Sequence, residues 1–177
     1  LDRVQSLVLF IGNARSGTTL VRSLLDAHPN VVLGNEVNVL ERLCAGEDWL
    51  TVVGRIFASA DRFRRTPVWE GYGYDVRRSQ RPSAVLVIGD KKAGASARAL
   101  MKDLFLLDRL AEWSSLPVRI VHCVRNPFDV ITTKTMRNGR TLRWNVERYF
   151  ETEQTAAYLS DQLGPRRFTR ICLEDLI

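Results

Sequence analysis

Long apolar runs are missing from this sequence. The longest clean one, Leu7-Val8-Leu9-Phe10-Ile11, is strand-sized, far short of the roughly 20 residues that cross a bilayer. No membrane segment is therefore expected in the chain. Cysteine is scarce: three residues, none in C-x-x-C spacing, give neither a metal cluster nor a disulfide framework. Cys123 and Cys172 sit in apolar, strand-like stretches and read as buried free thiols, which fits a reducing, cytoplasmic setting. There is no internal repeat and no low-complexity tract. With 45% hydrophobic and 26% charged residues, disorder and collagen-like structure are excluded. The 177 residues read as a single domain, 1–177, with a core of its own. It opens on Leu1 rather than Met and stops at Ile177 after an apolar run and an acidic pair, so both ends read as cut.

What the chain does have is positive charge, 26 Lys+Arg against 20 Asp+Glu for a net +6. Much of it lies between residues 55 and 81, where Arg55, Arg62, Arg64, Arg65, Arg77, Arg78 and Arg81 face only Asp61, Glu70 and Asp75. Such a run is either a solvated face or a surface that attracts an anionic ligand or acceptor. The aromatics among them, Phe57, Phe63, Trp69, Tyr72 and Tyr74, lack a regular stacking interval, so nucleic acid is not expected.

Apolar runs alternate with helical patterns along the chain. Strands are expected at Leu7–Ile11, Val31–Leu33, Ala84–Ile88, Arg119–Val124 and Arg170–Leu173. Between them come a helix facing inward through Leu20, Val21, Leu24 and Leu25 and stopped by Pro29, and one or two more through Leu40 to Phe57. A further helix runs through Leu100, Leu104, Leu107 and Leu110, another over Phe128–Met136 behind Pro127, and a long one from Leu142 to Leu163 ended by Gly164-Pro165. Residues 61–82, with Pro67, Gly71, Gly73 and Pro82, read as a long loop. Strands apolar on both faces and separated by helices predict an α/β fold, a parallel sheet flanked by helices. Ligands of such sheets bind at the carboxyl ends of the strands, and the chemically interesting residues cluster just after each strand.

After the first strand comes Gly12-Asn13-Ala14-Arg15-Ser16-Gly17-Thr18-Thr19, opening a helix. Its glycines let backbone N–H groups close on an oxyanion, and the helix N-terminus adds partial positive charge. The spacing imitates G-x-x-x-x-G-K-[ST], but Thr18 stands where the lysine belongs and Arg15 supplies the cation from inside the loop. A phosphoryl-transfer site loses a main electrostatic element by that change. After Val124 comes Arg125, with Thr133 about two helical turns on, a pair able to clamp a second phosphate. The plainer role for Arg125 is an ion pair with Asp129. Glu36 follows the short strand and Gly34-Asn35, placed to accept a proton or simply to be solvated. Gly89-Asp90-Lys91-Lys92 puts cations at the same sheet edge, as charge stabilisers or as a solvated turn. His28, before Pro29, reads as a structural helix end, and His122 as core.

The run Phe10-Ile11-Gly12-Asn13-Ala14-Arg15-Ser16-Gly17-Thr18-Thr19-Leu20, continuing to Asp26-Ala27-His28-Pro29, resembles the 5′-phosphosulfate-binding segment of sulfotransferases. The similarity is greatest to tyrosylprotein sulfotransferases and their bacterial relatives, over residues 7–36 and 119–135. It implies a three-layer α/β fold of the P-loop, nucleotide-kinase-like kind, with 3′-phosphoadenosine 5′-phosphosulfate (PAPS) as donor and no metal. Arg15, Ser16, Gly17, Thr18 and Thr19 then match the donor's phosphosulfate loop, and Arg125 and Thr133 its 3′-phosphate motif, with Thr where Ser is usual. Glu36 matches the second acid of a G-E-E stretch, the general base, with Asn35 replacing the first. Lys91 matches a lysine one residue past a polar residue, with Lys92 as the alternative. No histidine stands where other branches carry a histidine base. The implied acceptor is a hydroxyl on a small molecule, a sugar or a tyrosine peptide. Family members continue beyond the E-D-L seen here as Glu174-Asp175-Leu176, so the domain reads as truncated at its C-terminal end. Two other classes stay open: a P-loop nucleotide kinase or NTPase, and a non-catalytic nucleotide-binding module.

Overall fold

The structure, a computed structural model, describes residues 2–74, 76 and 84–176. Its strands and helices alternate as β1 (Ser6–Gly12), α1 (Thr18–Asp26), β2 (Val31–Asn35), α2 (Val39–Cys44) and α3 (Trp49–Arg65). A two-stranded hairpin, β3 (Val68–Trp69) and β4 (Tyr72–Gly73), follows. The chain then runs through β5 (Val87–Lys91), α4 (Ala93–Lys102), α5 (Leu106–Ser114), β6 (Val118–Val124), α6 (Pro127–Asn138), α7 (Leu142–Leu163) and β7 (Phe168–Cys172), ending in a 3₁₀ turn, Leu173–Asp175. Five strands pair in the order β2-β5-β1-β6-β7, all parallel. The chain leaves the central β1 toward β2 and, after β5, crosses to β6 and β7 on the other side. The carboxyl ends around β1 thus form the crevice in which such sheets hold ligands.

Two apolar layers sandwich the sheet, because successive residues of β1 point to opposite faces. Leu7, Leu9 and Ile11 enter the larger core with Val52, Ile56, Ala97, Leu100, Leu110 and Leu159 from α3, α4, α5 and α7. Val8 and Phe10 enter the smaller one with Val21 of α1, Leu33 and Cys123. The three-layer α/β reading holds.

Strand β2 lies at the sheet edge, and its outer backbone groups need partners away from the ladder. Helices supply them. Asp26 Oδ1 accepts the Leu33 N–H at 2.9 Å, and Arg22 Nε donates to the Leu33 carbonyl at 2.9 Å. Two residues on, Ser59 Oγ accepts the Asn35 N–H and donates to the Asn35 carbonyl, both at 2.9 Å. Arg22 is fully buried, stacked over Phe63 with 4.5 Å to the ring centroid, and Arg64 of α3 binds the Asp26 carboxylate.

This network shifts the expected face of α1, of whose four apolar residues only Val21 is buried. Arg22, Ser23 and Asp26 point inward, while Leu24 and Leu25 are 43% and 37% exposed. Satisfying the edge of β2 outweighs burying two leucines. Other boundaries move for local reasons. Residues 61–65 belong to α3, whose end is set by Thr66-Pro67, and the hairpin occupies part of the expected loop. Residues 75, 77–81 and Pro82 of that stretch, with Arg77, Arg78 and Arg81, lie outside the described residues. Arg55, Arg64 and Arg65 pair with Glu47, Asp26 and Asp61, so the helical half of the arginine run serves the fold and its surface.

The single helix expected through Leu110 is two, broken at Asp103, whose carboxylate accepts the Phe105 N–H at 3.0 Å; Leu104 is exposed. Strand β5 starts and ends three residues later than expected, which carries Asp90 and Lys91 into the sheet. His28 is exposed and accepts the Asn30 N–H at Nδ1 rather than donating to helix carbonyls. Cys123 is buried, its thiol pushed up to about 12 by burial. Cys172 is only half-buried, beside Glu174, because β7 is the other sheet edge. No helix among the described residues is long and apolar enough to cross a membrane.

Asp26→Ala is expected to lower unfolding free energy by about 3–5 kcal/mol in a urea titration, since it orphans the Leu33 N–H and leaves Arg22 buried without its carboxylate. A loss below 1 kcal/mol would show that the edge of β2 is held some other way.

Candidate active site

The phosphate loop is shaped by two glycines at positive φ, of which Gly12 has no room for a side chain. Gly12 has φ +141°, and a Cβ there would lie 2.5 Å from the Cys123 carbonyl oxygen of the adjacent β6. Gly17 has φ +79°, and a Cβ would lie 2.5 Å from Cδ1 of Leu173. Arg15 also adopts positive φ, +78°. Ser16 is buried, and its hydroxyl donates to the Asn13 carbonyl at 2.6 Å, closing the loop internally. Helix α1 then starts with no side-chain cap and no acidic residue in its first turn. Its free N–H groups and positive dipole end face outward, which is what an oxyanion requires.

Asn13 ties the loop to the helices behind it. Its amide nitrogen lies 3.3 Å from both the Tyr149 carbonyl and Glu153 Oε1, and its amide oxygen accepts from Lys134 Nζ at 3.3 Å. Glu153 in turn sits 3.4 Å from the buried His122. His122 is core, as expected, but borders this polar chain. The E-D-L turn braces the other side: Leu173 packs on Gly17, and Glu174 accepts the Asn126 N–H at 2.7 Å.

The second half of the site comes from strand register. Asn35 is the partner of Lys91 across β2 and β5, so Glu36 emerges beside that lysine. The Glu36 N–H donates to the Lys91 carbonyl at 2.9 Å, and Glu36 takes φ +63° to turn its side chain back over the sheet edge. Asp90, fully buried, accepts from the N–H groups of Val37 at 2.9 Å and Asn38 at 2.7 Å, which fixes the loop carrying Glu36. Burial raises the Asp90 carboxyl pKa against these hydrogen bonds.

Both Lys91 and Lys92 pair with the Glu36 carboxylate. Burial pushes the Glu36 carboxyl up, but the two ammonium groups outweigh it and hold the pKa below the ordinary value. Lys91 is 2% exposed, and burial lowers its ammonium pKa against the opposing pull of Glu36 and Asp90. Its Nζ stands 5.3 Å from the Trp69 ring centroid.

A cavity of about 390 Å³ joins these parts. Arg15, Gly17, Thr18, Thr19, Glu36, Lys91 and Lys92 all line it. Thr18, in the place of a Walker lysine, faces the same space. The hairpin adds Trp69, Glu70 and Tyr74, and Arg15 pairs with Glu70 at 2.7 Å. Arg125 and Thr133 lie on the β6–α6 side, outside this lining, with Arg125 paired to Asp129 at 2.8 Å. Ser16 supports the loop from beneath. Reasoning from sequence missed Asn13, Trp69, Glu70, Tyr74, Arg98 and Lys134. The hairpin residues carried no motif, and the others became neighbours only through helix packing.

Fold and site together define an α/β phosphate-loop protein with an anion cradle and a carboxylate–lysine cluster at one sheet edge. The sulfotransferase family model matches residues 8–177, and the chain belongs to that family. Protein-tyrosine sulfotransferase 1 of Danio rerio is 47% identical over 49 residues, 27% of this chain and 14% of that protein. The Homo sapiens protein of the same name is 51% identical over 39 residues, 22% of this chain and 10% of that one. Those matches span only a small part of the relatives' length. Among solved structures, the sulfotransferase domain from the Synechococcus PCC 7002 olefin synthase superposes with TM-score 0.60 at 18% identity, covering 98% of this chain and 68% of that one. The sulfotransferase domain from the curacin biosynthetic pathway gives 0.58 at 18%, covering 98% and 69%. At such identity the likeness is one of fold.

Asp90→Asn exchanges one accepting oxygen for an NH₂ group that cannot accept. It is expected to cost about 1–3 kcal/mol in urea unfolding, from the orphaned N–H of the Glu36 loop. Unchanged stability would mean that the loop is held without Asp90.

Proposed function

We propose that this chain is a sulfotransferase that moves a sulfuryl group from 3′-phosphoadenosine 5′-phosphosulfate to an acceptor hydroxyl, with Glu36 as general base and without a metal. The observation that carries this reading is the convergence of Glu36, Lys91, Lys92 and Arg15 on one cavity over an uncapped phosphate loop. The donor supplies an electrophilic sulfuryl group on a nucleotide leaving group. The loop N–H groups with Thr18 and Thr19 fit its 5′-phosphate end, since the cradle offers donors, positive dipole and no acid. Arg125 and Thr133 are assigned to its 3′-phosphate. The Arg125–Asp129 pair is half-exposed, and such a pair is worth about 1 kcal/mol or less, so exchanging Asp129 for a phosphate costs little.

Glu36 takes the proton from the acceptor hydroxyl. Lys91, Lys92 and Arg15 place positive charge where negative charge develops on the sulfuryl oxygens and the departing phosphate. In the free protein these cations rest on carboxylates, Lys91 and Lys92 on Glu36 and Arg15 on Glu70. An incoming anion draws the partly exposed Lys92 away, and a glutamate relieved of one ammonium group becomes a better base. Basicity is thereby raised once the donor is in place. The lysine missing from the loop, replaced by Thr18, argues against a Mg²⁺-dependent kinase. The acceptor is a hydroxyl on a small molecule, a sugar or a tyrosine peptide, the last favoured by the short identity to protein-tyrosine sulfotransferases.

Glu36→Gln is expected to lower kcat by roughly 10²–10⁴ without weakening nucleotide binding, since it removes the carboxylate that competes for Lys91 and Lys92. The acid limb of wild-type kcat/KM, which reports the free protein, is expected below the ordinary glutamate value of 4.5, because the pairing lysines depress this carboxyl. Glu36→Gln with full turnover would remove it from the base role.

A further inference from the structure

Behind the phosphate loop lies a second cavity, of about 370 Å³, walled by α4, α6 and α7. It shares Arg98, Lys134 and Asn138 with the first cavity, so the two open onto a common wall. Ala97, Met101 and Trp144 give it apolar surface. Its charged groups are Arg98, Lys134, Arg148 and Glu151. Glu151 is already paired with Arg148 at 2.7 Å.

The other two cations differ from those of the donor site. Arg15, Lys91, Lys92 and Arg125 each rest on a carboxylate. Among the described residues, no carboxylate pairs with Arg98 or Lys134, and Lys134 has only the neutral amide oxygen of Asn13 at 3.3 Å. Burial and the nearby Arg98 and Arg148 lower the Lys134 ammonium pKa, so an unneutralised charge is being held there at a cost. An anion entering this space would relieve the repulsion between Arg98 and Lys134, which no carboxylate among the described residues relieves.

We infer that this cavity is an acceptor subsite for an anionic group, a carboxylate, sulfate or phosphate ester, carried on a partly apolar body beside the reacting hydroxyl. Arg98 and Lys134 bind the anion, and Met101 and Trp144 meet the apolar part. The acceptor class narrows accordingly, from any hydroxyl compound to one bearing a second, negatively charged group. The inference rests on the transfer reaction being placed in the adjoining cavity.

The test is calorimetric titration of inorganic sulfate into the protein saturated with 3′-phosphoadenosine 5′-phosphate, with the nucleotide holding the phosphate loop. One sulfate per chain is expected to bind, about tenfold or more weaker in Arg98→Gln and in Lys134→Gln, with nucleotide affinity unchanged in Arg98→Gln, which leaves the Lys134–Asn13 contact of the phosphate loop intact. Arg98 lies on an exposed helix face, so its replacement leaves folding intact. Absence of sulfate binding, or binding unaltered in both variants, would overturn the inference. So would a parallel fall in nucleotide affinity in Arg98→Gln, which would assign that cation to the donor. If the wild-type protein fails to bind the nucleotide at all, the donor assignment falls separately. Sulfate titrated into the free protein then still decides the cavity, through the loss of one binding site in the variants.

Discussion

A lysine buried at the end of a parallel strand sets the terms for everything around it. Lys91 is nearly inaccessible, and an ammonium group in that position must have a carboxylate within reach or lose its charge. The register of β2 against β5 provides it, because Asn35 pairs with Lys91 and the next residue is Glu36. The same register brings Gly34 beside Asp90, whose carboxylate gathers the N–H groups of the following turn. With β5 lying between β2 and β1, this cluster and the phosphate loop end at one level of the sheet. Displacing the β5 pairing by one residue would send Lys91 to the opposite face and dissolve the site.

Electrostatically, the site is a set of cations resting on acids that an anion can replace. Arg15 and Lys92 are partly exposed, so their ion pairs are weak and easily exchanged. Lys91 is buried and does not move far, which suits the charge-stabilising role proposed for it. Backbone N–H groups at the uncapped start of α1 provide the part of the cradle that needs no exchange at all. Of the five non-glycine residues at positive φ among the described residues, three, Arg15, Glu36 and Glu70, line the cavity.

Much of this was legible before the structure. Parallel topology followed from strands apolar on both faces, and the loop from its glycines and hydroxyls. Glu36 and Lys91 were found because motifs mark strand ends, and strand ends in this fold converge. The errors have a common origin in backbone groups that hydropathy cannot see. Leu24 and Leu25 were expected inside, but the unpaired edge of β2 demanded Asp26 and Arg22 there instead. Strand β5 extends over polar Asp90 and Lys91 because both are satisfied by the turn beyond β2, a long-range arrangement without local signal. Asn13, Arg98 and Lys134 come together only once α4, α6 and α7 pack, which no spacing along the chain foretells.

Donor recognition is the point on which the functional reading stands. Isothermal titration with 3′-phosphoadenosine 5′-phosphate in metal-free buffer, beside ATP with Mg²⁺, tests it most directly. The two proposed phosphate-binding elements and the absence of a Walker lysine predict tight, metal-independent binding of the bisphosphate and weak binding of Mg·ATP. Preference for Mg·ATP would contradict it and move the chain toward nucleotide-kinase chemistry.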